Sequence, residues 1–266
     1  MDRNKKSKIA IITGGASGIG AAYVKRLFKS GMKGCTIADI DEQGEALAKE
    51  MECCYGKGRA HFVKTDLVNA EQFECVFEKT MQKYKKLDLL VNNAGKLKDK
   101  AWEEMIDLNI TTTVRGNLLG IKYMGKNNGY GGGTIVNTSS IAGLQAFNEF
   151  PCYSGAKHFI IGFTRSIGTR FWFDLTGIRF MSICPGVTDT SMIDNAPNWV
   201  LDGFPDLEKR AKRQLLNEPC QNVEDVAEGL NEMLNYGDNG SIWVCQGGGP
   251  IYDVIIPPIR EMKIGC

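Results

Sequence analysis

Tyr153 and Lys157 stand four residues apart in the run YSGAK. On a helix, that spacing puts a phenol and an ammonium on one face. A free tyrosine titrates near 10, too high for a base at neutral pH. A nearby cation favours the phenolate and lowers that value. Lowering it by about three pH units asks for roughly 4 kcal/mol of charge stabilisation, within reach of cations in a low-dielectric cleft. The pair could then take a proton from an alcohol or return it to a ketone. A hydroxyl from Ser139 or Ser140 could hold the reacting oxygen. Neighbours in an extended chain face opposite ways, so only one of the two can do so.

A second set of residues could hold a dinucleotide beside that pair. A short apolar strand at 8–12 runs into Thr13, Gly14, Gly15, Ala16, Ser17, Gly18, Ile19 and Gly20. Small residues let the backbone approach a pyrophosphate, and the helix start beyond offers free N–H groups and a positive dipole end. Glycines also make ordinary tight turns, so the loop gains meaning from the strand before it and the helix after it. Asp39 ends the next strand. A carboxylate there accepts hydrogen bonds from adenosine ribose hydroxyls and repels a 2′-phosphate. No Arg or Lys stands beside Ser17 or Asp39 to favour that phosphate, which argues for NAD over NADP. The alternative is that Asp39 caps the following helix. Asp66 ends the third strand and could meet the adenine.

These groups meet only if many loops converge. Apolar runs predict strands at 8–12, 35–38, 61–63, 88–91, 134–137, 178–183 and 241–244. Helical periodicity fills the gaps, with long helices at 102–127 and 153–173 and a last one at 222–235. The stretch 191–217 is less regular. This alternation predicts one α/β domain over 1–266, a Rossmann fold with a doubly wound, seven-stranded parallel sheet and helices on both faces. Ligands of such sheets sit beyond the carboxyl ends of the strands, where the glycine and polar signals fall.

Composition narrows the partners. With 266 residues, 43% of them hydrophobic, the chain can bury a full core. A formal net charge of +1 gives no pull toward nucleic acid or an anionic membrane. Nine cysteines, an odd count without a C-x-x-C pair, read as reduced thiols. Two distant histidines, His61 and His158, argue against a metal site. The apolar run 9–12 is too short for a signal or membrane segment, so the cytoplasm is expected.

Taken together, TGGASGIG at 13–20, Asp39, NNAG at 92–95, Asn109 in a DLN context, Ser140, Tyr153 with Lys157, and PGVTDT at 185–190 resemble the short-chain dehydrogenase/reductase family. The match runs over nearly the whole chain. It looks nearest to the family's NAD-linked 15-hydroxyprostaglandin dehydrogenase branch and its insect relatives, through SSIAGL, KHFIIGFTRS and ICPG. The resemblance implies that Tyr153 is the acid/base and that Ser140, rather than Ser139, positions the substrate. It implies that Lys157 binds the nicotinamide ribose and tunes Tyr153, and that Asn109 holds a water leading from Lys157 to solvent. Cofactor contacts would come from Gly14, Ser17, Gly18, Ile19, Gly20, Asp39, Ile40, Asp66, Leu67, Asn93 and Gly95. Tyr153, Lys157, Pro185, Val187, Thr188 and Thr190 would supply the rest. A homodimer or homotetramer is implied, with 102–127 and 153–173 at the interface.

One position departs from that branch. It carries a glutamine three residues before the tyrosine, where this chain has Phe150. A phenyl ring cannot donate that hydrogen bond. Phe147, Phe150 and Cys152 suggest an apolar wall. The stretch 191–221 would be a substrate lid, apolar in part through Met192, Ile193, Trp199, Val200, Leu201 and Phe204. The expected substrate is a lipophilic secondary alcohol or ketone: a terpenoid, a steroid, or an oxidised fatty acid such as a hydroxyprostaglandin. The alternatives are an NADPH-dependent carbonyl reductase on the same fold, and a dinucleotide-binding regulator without catalysis.

Overall fold

The run IAIIT is buried at every position, as a strand covered on both faces must be. In the computed structural model, which describes residues 7–263, it forms β1 (Ile9–Thr13). Then follow α1 (Gly18–Lys29), β2 (Gly34–Asp39), α2 (Gln43–Tyr55), β3 (Ala60–Lys64), α3 (Ala70–Tyr84) and β4 (Leu89–Asn92). The chain continues with α4 (Trp102–Ile106), α5 (Thr112–Met124), β5 (Gly133–Thr138), α6 (Pro151–Ile167), α7 (Arg170–Thr176) and β6 (Ile178–Pro185). It ends with α8 (Ser191–Asn195), α9 (Leu207–Asn217), α10 (Val223–Tyr236), β7 (Ile242–Cys245) and β8 (Tyr252–Asp253).

The strands form one sheet in the order β3-β2-β1-β4-β5-β6-β7-β8. Winding reverses between β1 and β4, which opens a crevice at their carboxyl ends. Side chains alternate across the sheet. Ile12, Ile37 and Val91 pack under α1, α2 and α10 through Phe28, Met51 and Leu230. Ile11, Leu90 and Ile135 pack on the other face, against Phe77 of α3 and Leu119 of α5. A third cluster, with Leu97, Phe147, Phe150 and Ala196, lies beyond the strand ends.

Three expectations need correction. The sheet has eight strands rather than seven, because β8 adds antiparallel to β7 through Trp243–Asp253 and Val244–Tyr252. Its two residues are exposed, so no apolar periodicity marked it. The helix expected over 102–127 is α4 and α5 separated by a π turn, Asp107–Thr111. The helix expected over 153–173 breaks between α6 and α7. There the backbone at Gly168 runs against Gly240: a Cβ on Gly168 would lie 2.5 Å from the Gly240 Cα, and one on Gly240 would lie 2.7 Å from the Gly168 carbonyl oxygen.

Among the described residues, no helix is long and apolar enough to cross a membrane. The eight cysteines among them are free thiols.

Candidate active site

The carboxyl ends of β1, β2, β4, β5 and β6 open on one cavity of about 710 Å³. At the β1 end the chain must turn sharply to aim α1 across the strand ends. Gly14 and Gly18 hold φ of 61° and 51°, where a side chain is strained. A Cβ on Gly14 would lie 2.8 Å from the Ala94 Cα, and one on Gly20 only 1.9 Å from the Gly14 carbonyl oxygen. Ser17, at the N-cap of α1, makes no side-chain cap, and no acid stands in the first turn. The first N–H groups of α1 therefore meet the cavity with no carboxylate or hydroxyl placed to satisfy them, at the positive end of the helix. A pyrophosphate fits this cradle in size and in charge.

Asp39 serves the loop as well as the cavity. Its Oδ2 accepts the Ala16 N–H at 2.9 Å and its Oδ1 the Asp41 N–H at 3.1 Å. It does not cap α2, whose N-cap is Glu42. Ile40, Asp66 and Leu67 continue the wall from Asp39. Asn93 and Gly95 line it from β4. Asn93 also ties that strand to the glycine loop, its Nδ2 donating to the Thr13 and Gly14 carbonyls at 3.1 and 3.2 Å. The Thr13 hydroxyl accepts the Asn93 N–H at 2.9 Å. Sequence reasoning missed this brace. Its only trace was a polar Thr13 closing an otherwise apolar strand. Pro185, Val187, Thr188 and Thr190 line the wall beyond β6.

At the other end, β5 delivers two serines and α6 delivers Tyr153 and Lys157. Register separates the serines. Ser139 is buried and its Oγ donates to the Lys157 carbonyl at 2.9 Å. Ser140 Oγ accepts the Ala142 N–H at 3.1 Å and lies beside the Tyr153 hydroxyl in the cavity. Lys157 is buried, with Nζ donating to the Thr138 carbonyl at 3.0 Å and 5.5 Å from the centre of the Tyr153 ring.

The expected lowering of the phenol's pKa is not found in the chain by itself. Loss of solvent pushes Tyr153 up to about 12, against a weaker downward pull from the Ser140 hydroxyl. The same loss brings Lys157 down to about 8. Desolvation sets both directions, and the Lys157 ammonium is hydrogen-bonded to the Thr138 carbonyl rather than to the phenol.

Asn109 sits behind the cavity wall, in the π turn. Its Oδ1 accepts the Lys96 N–H and its Nδ2 donates to the Lys96 carbonyl, both at 2.8 Å. A Cβ on Gly95 would lie 3.2 Å from Asn109 Oδ1 and 3.5 Å from Lys157 Nζ, so the two side chains approach each other across Gly95.

Above Tyr153 the wall is apolar: Leu97, Ile141, Phe147, Phe150, Met192 and Leu215. Ile193 joins them, as expected from the sequence. Cys152, Trp199, Val200, Leu201 and Phe204 do not. Cys152 faces Asp99 instead, Val200 packs into the cluster beneath, and Phe204 is 63% exposed.

A family model described as short chain dehydrogenase matches residues 8–200. Over 191 residues the chain is 35% identical to the 15-hydroxyprostaglandin dehydrogenase (NAD(+)) of Homo sapiens, covering 71% of each chain. It is 27% identical over 241 residues to alcohol dehydrogenase 2 of Ceratitis rosa, covering 91% of this chain and 92% of that one. The crystal structure of levodione reductase superposes with a TM-score of 0.77 at 24% identity, covering 91% of this chain and 97% of that one. At that identity the likeness is one of fold.

Proposed function

The chain belongs to the short chain dehydrogenase family, and from that premise we propose that it is an NAD-dependent oxidoreductase interconverting a lipophilic secondary alcohol and its ketone. The observation that carries this is the meeting of Tyr153, Ser140 and Lys157 at one end of a cavity whose other end is the glycine loop and Asp39. Bound NAD supplies the hydride acceptor and a positively charged ring.

The chain's own residues divide the remaining work. Ser17, Gly18, Ile19 and Gly20 hold the pyrophosphate with backbone N–H groups, and Gly14, whose own N–H is taken by the Ala38 carbonyl at 2.8 Å, lines the approach. Asp39 takes the adenosine ribose hydroxyls, and Ile40, Asp66 and Leu67 border the adenine. Asn93 and Gly95 flank the ribose. Pro185, Val187, Thr188 and Thr190 flank the nicotinamide, and Lys157 holds its ribose. Tyr153 takes the alcohol proton, Ser140 holds the oxygen, and Asn109 sets the exit for that proton past Lys157. The apolar wall under the lid 191–221 supports a substrate without charge near its reacting carbon.

The expectations about assembly and compartment belong to the same reading. Homo-oligomer formation is supported by Leu118 on α5 and Phe159 on α6, which are 56% and 39% exposed. Cytoplasmic residence is supported by the free thiols.

The reading is tested by following NADH absorbance over a panel of lipophilic and small polar alcohols. Turnover of the lipophilic ones with NAD is the expected result. Activity on sugars or small polar alcohols alone would remove the substrate class. Cofactor choice is tested at Asp39. Asp39→Asn keeps an acceptor for Ala16 but removes the charge, so the preference for NAD over NADP should fall by about tenfold or more. Asp39→Ala should show the same shift together with weaker binding of both. Tight NADPH binding by the unaltered protein would favour the carbonyl reductase alternative.

A further inference from the structure

The proposed function makes Tyr153 the group that moves the proton, and the inference here rests on that reading. α6 starts with Pro151, and its N-cap, Phe150, has no side chain able to cap. Helix starts leave N–H groups in need of acceptors. Here the acceptors come from another loop. Asp99, in the short turn Asp99–Ala101 that follows β4, is fully buried. Its Oδ2 accepts the Cys152 N–H at 2.8 Å and its Oδ1 the Tyr153 N–H at 3.0 Å. A cap from the preceding residue stabilises a helix but lets it shift as a body. A cap from a separate loop also fixes where the helix sits.

Lys100, the next residue, reaches the other way. Its Nζ donates to the Asn198 carbonyl at 2.7 Å. Asn198 lies in the turn Ala196–Trp199, within the lid. Ala196 of the same turn is fully buried, in the cluster that holds Phe150 and Leu97. Two adjacent residues thus hold two separate parts of the site.

We propose that Asp99 is a positioning residue for Tyr153 and that, with Lys100, it ties the lid to the first turn of α6, so that seating of the lid is felt at the phenol. The polar and titratable neighbours are consistent with this. Tyr153 is faced by Lys157 from its own helix, by Ser140 after β5, by Cys184 of β6 and by Asp99. Asp99 is faced by the Cys152 thiol and by the two N–H groups it accepts. Burial raises its carboxyl above the usual range while those donors pull it back. Its charge works against the Tyr153 phenolate.

The test uses amide hydrogen exchange on the full chain without substrate, in wild type, Asp99→Asn, Lys100→Ala and Lys100→Arg. Asp99→Asn and Lys100→Ala should both speed exchange in the first turn of α6 and in the lid, and Lys100→Arg should match wild type. Loosening of the lid alone by Lys100→Ala would overturn the coupling. Unchanged exchange at Cys152 and Tyr153 in Asp99→Asn would overturn the positioning role. Exchange needs no turnover, so a wild-type protein that oxidised no alcohol would sink the proposed function and leave this result standing. In the active protein, Asp99→Asn should lower kcat about tenfold or more with NAD affinity unchanged, as a displaced reacting group does. Its acid limb should move to lower pH, because one negative charge fewer opposes the phenolate. A fall in kcat with no movement of that limb would reduce Asp99 to a structural cap. Should Asp99→Asn not fold, Lys100→Ala, altered at an exposed residue, decides.

Discussion

Tyr153→Phe should leave a protein that folds and binds NAD but oxidises alcohols about a hundred to ten thousand times more slowly, the range of a lost general base. The ring keeps its packing between Ser140 and Lys157, and only the hydroxyl is removed. The expected loss is large because the site asks much of this group. By itself the folded chain holds the phenol near 12. Working near pH 7 means bringing it down by about five pH units, roughly 7 kcal/mol of charge stabilisation. Lys157 and the positive ring of bound NAD are the charges at hand. The base form is active, so oxidation in the unaltered protein should fall as pH drops through the phenol's working pKa. Steady-state kcat and NADH binding by fluorescence check the prediction. A variant with more than a tenth of normal turnover would remove Tyr153 from the chemistry.

Lys157→Met should also abolish most turnover, yet raise the stability of the protein without cofactor. Burial holds Lys157 at about 8 instead of an ordinary 10.5. That gap corresponds to about 3 kcal/mol. The sign follows from proton linkage. Between pH 8 and 10.5 the unfolded chain binds this proton more tightly than the folded one, so wild-type stability rises with pH across that window. Below pH 8 the full penalty stands. Tyr153 acts oppositely, because its folded form keeps the proton to about 12 and the unfolded form does not, so its contribution is lost above pH 10. Methionine fills the same volume without charge but gives up the bond to the Thr138 carbonyl, a loss of about 1 kcal/mol. A net gain of about 2 kcal/mol is expected at pH 7, read as a melting temperature higher by several degrees. The gain should vanish by pH 10.5. A variant less stable than wild type at pH 7 would show that the buried ammonium is not under strain.

The sequence made some of this legible, and the reasons are particular. Strand alternation said that Ser139 and Ser140 could not both face the cavity, but not which one did. The deciding fact is a hydrogen bond to the Lys157 carbonyl, and backbone acceptors leave no letter in a sequence. Asp39 was readable as a carboxylate at a strand end. Its hold on the Ala16 N–H was not, for the same reason. Asp99 lies in the charged run KLKDK, where nothing local shows that a helix start fifty-odd residues later will reach it. The spacing of Tyr153 and Lys157 conveyed their attraction. It conveyed nothing of the water they lose, and that loss sets the direction of both pKa changes. The doubly wound order was legible because fully buried strands and amphipathic helices alternate cleanly. β8 was not, since two exposed residues make no pattern.

Far from the cavity, Gly168 and Gly240 form a single lock between the α6–α7 joint and the loop before β7. Alanine at either one forces the two backbones apart, and once they have parted the second methyl meets less resistance. The pair should therefore be epistatic, the double substitution costing less than the two single costs combined. A scan of single changes would show two intolerant glycines with no ligand nearby and would count their shared contact twice, on top of the backbone constraint that Gly240 carries alone at φ 85°.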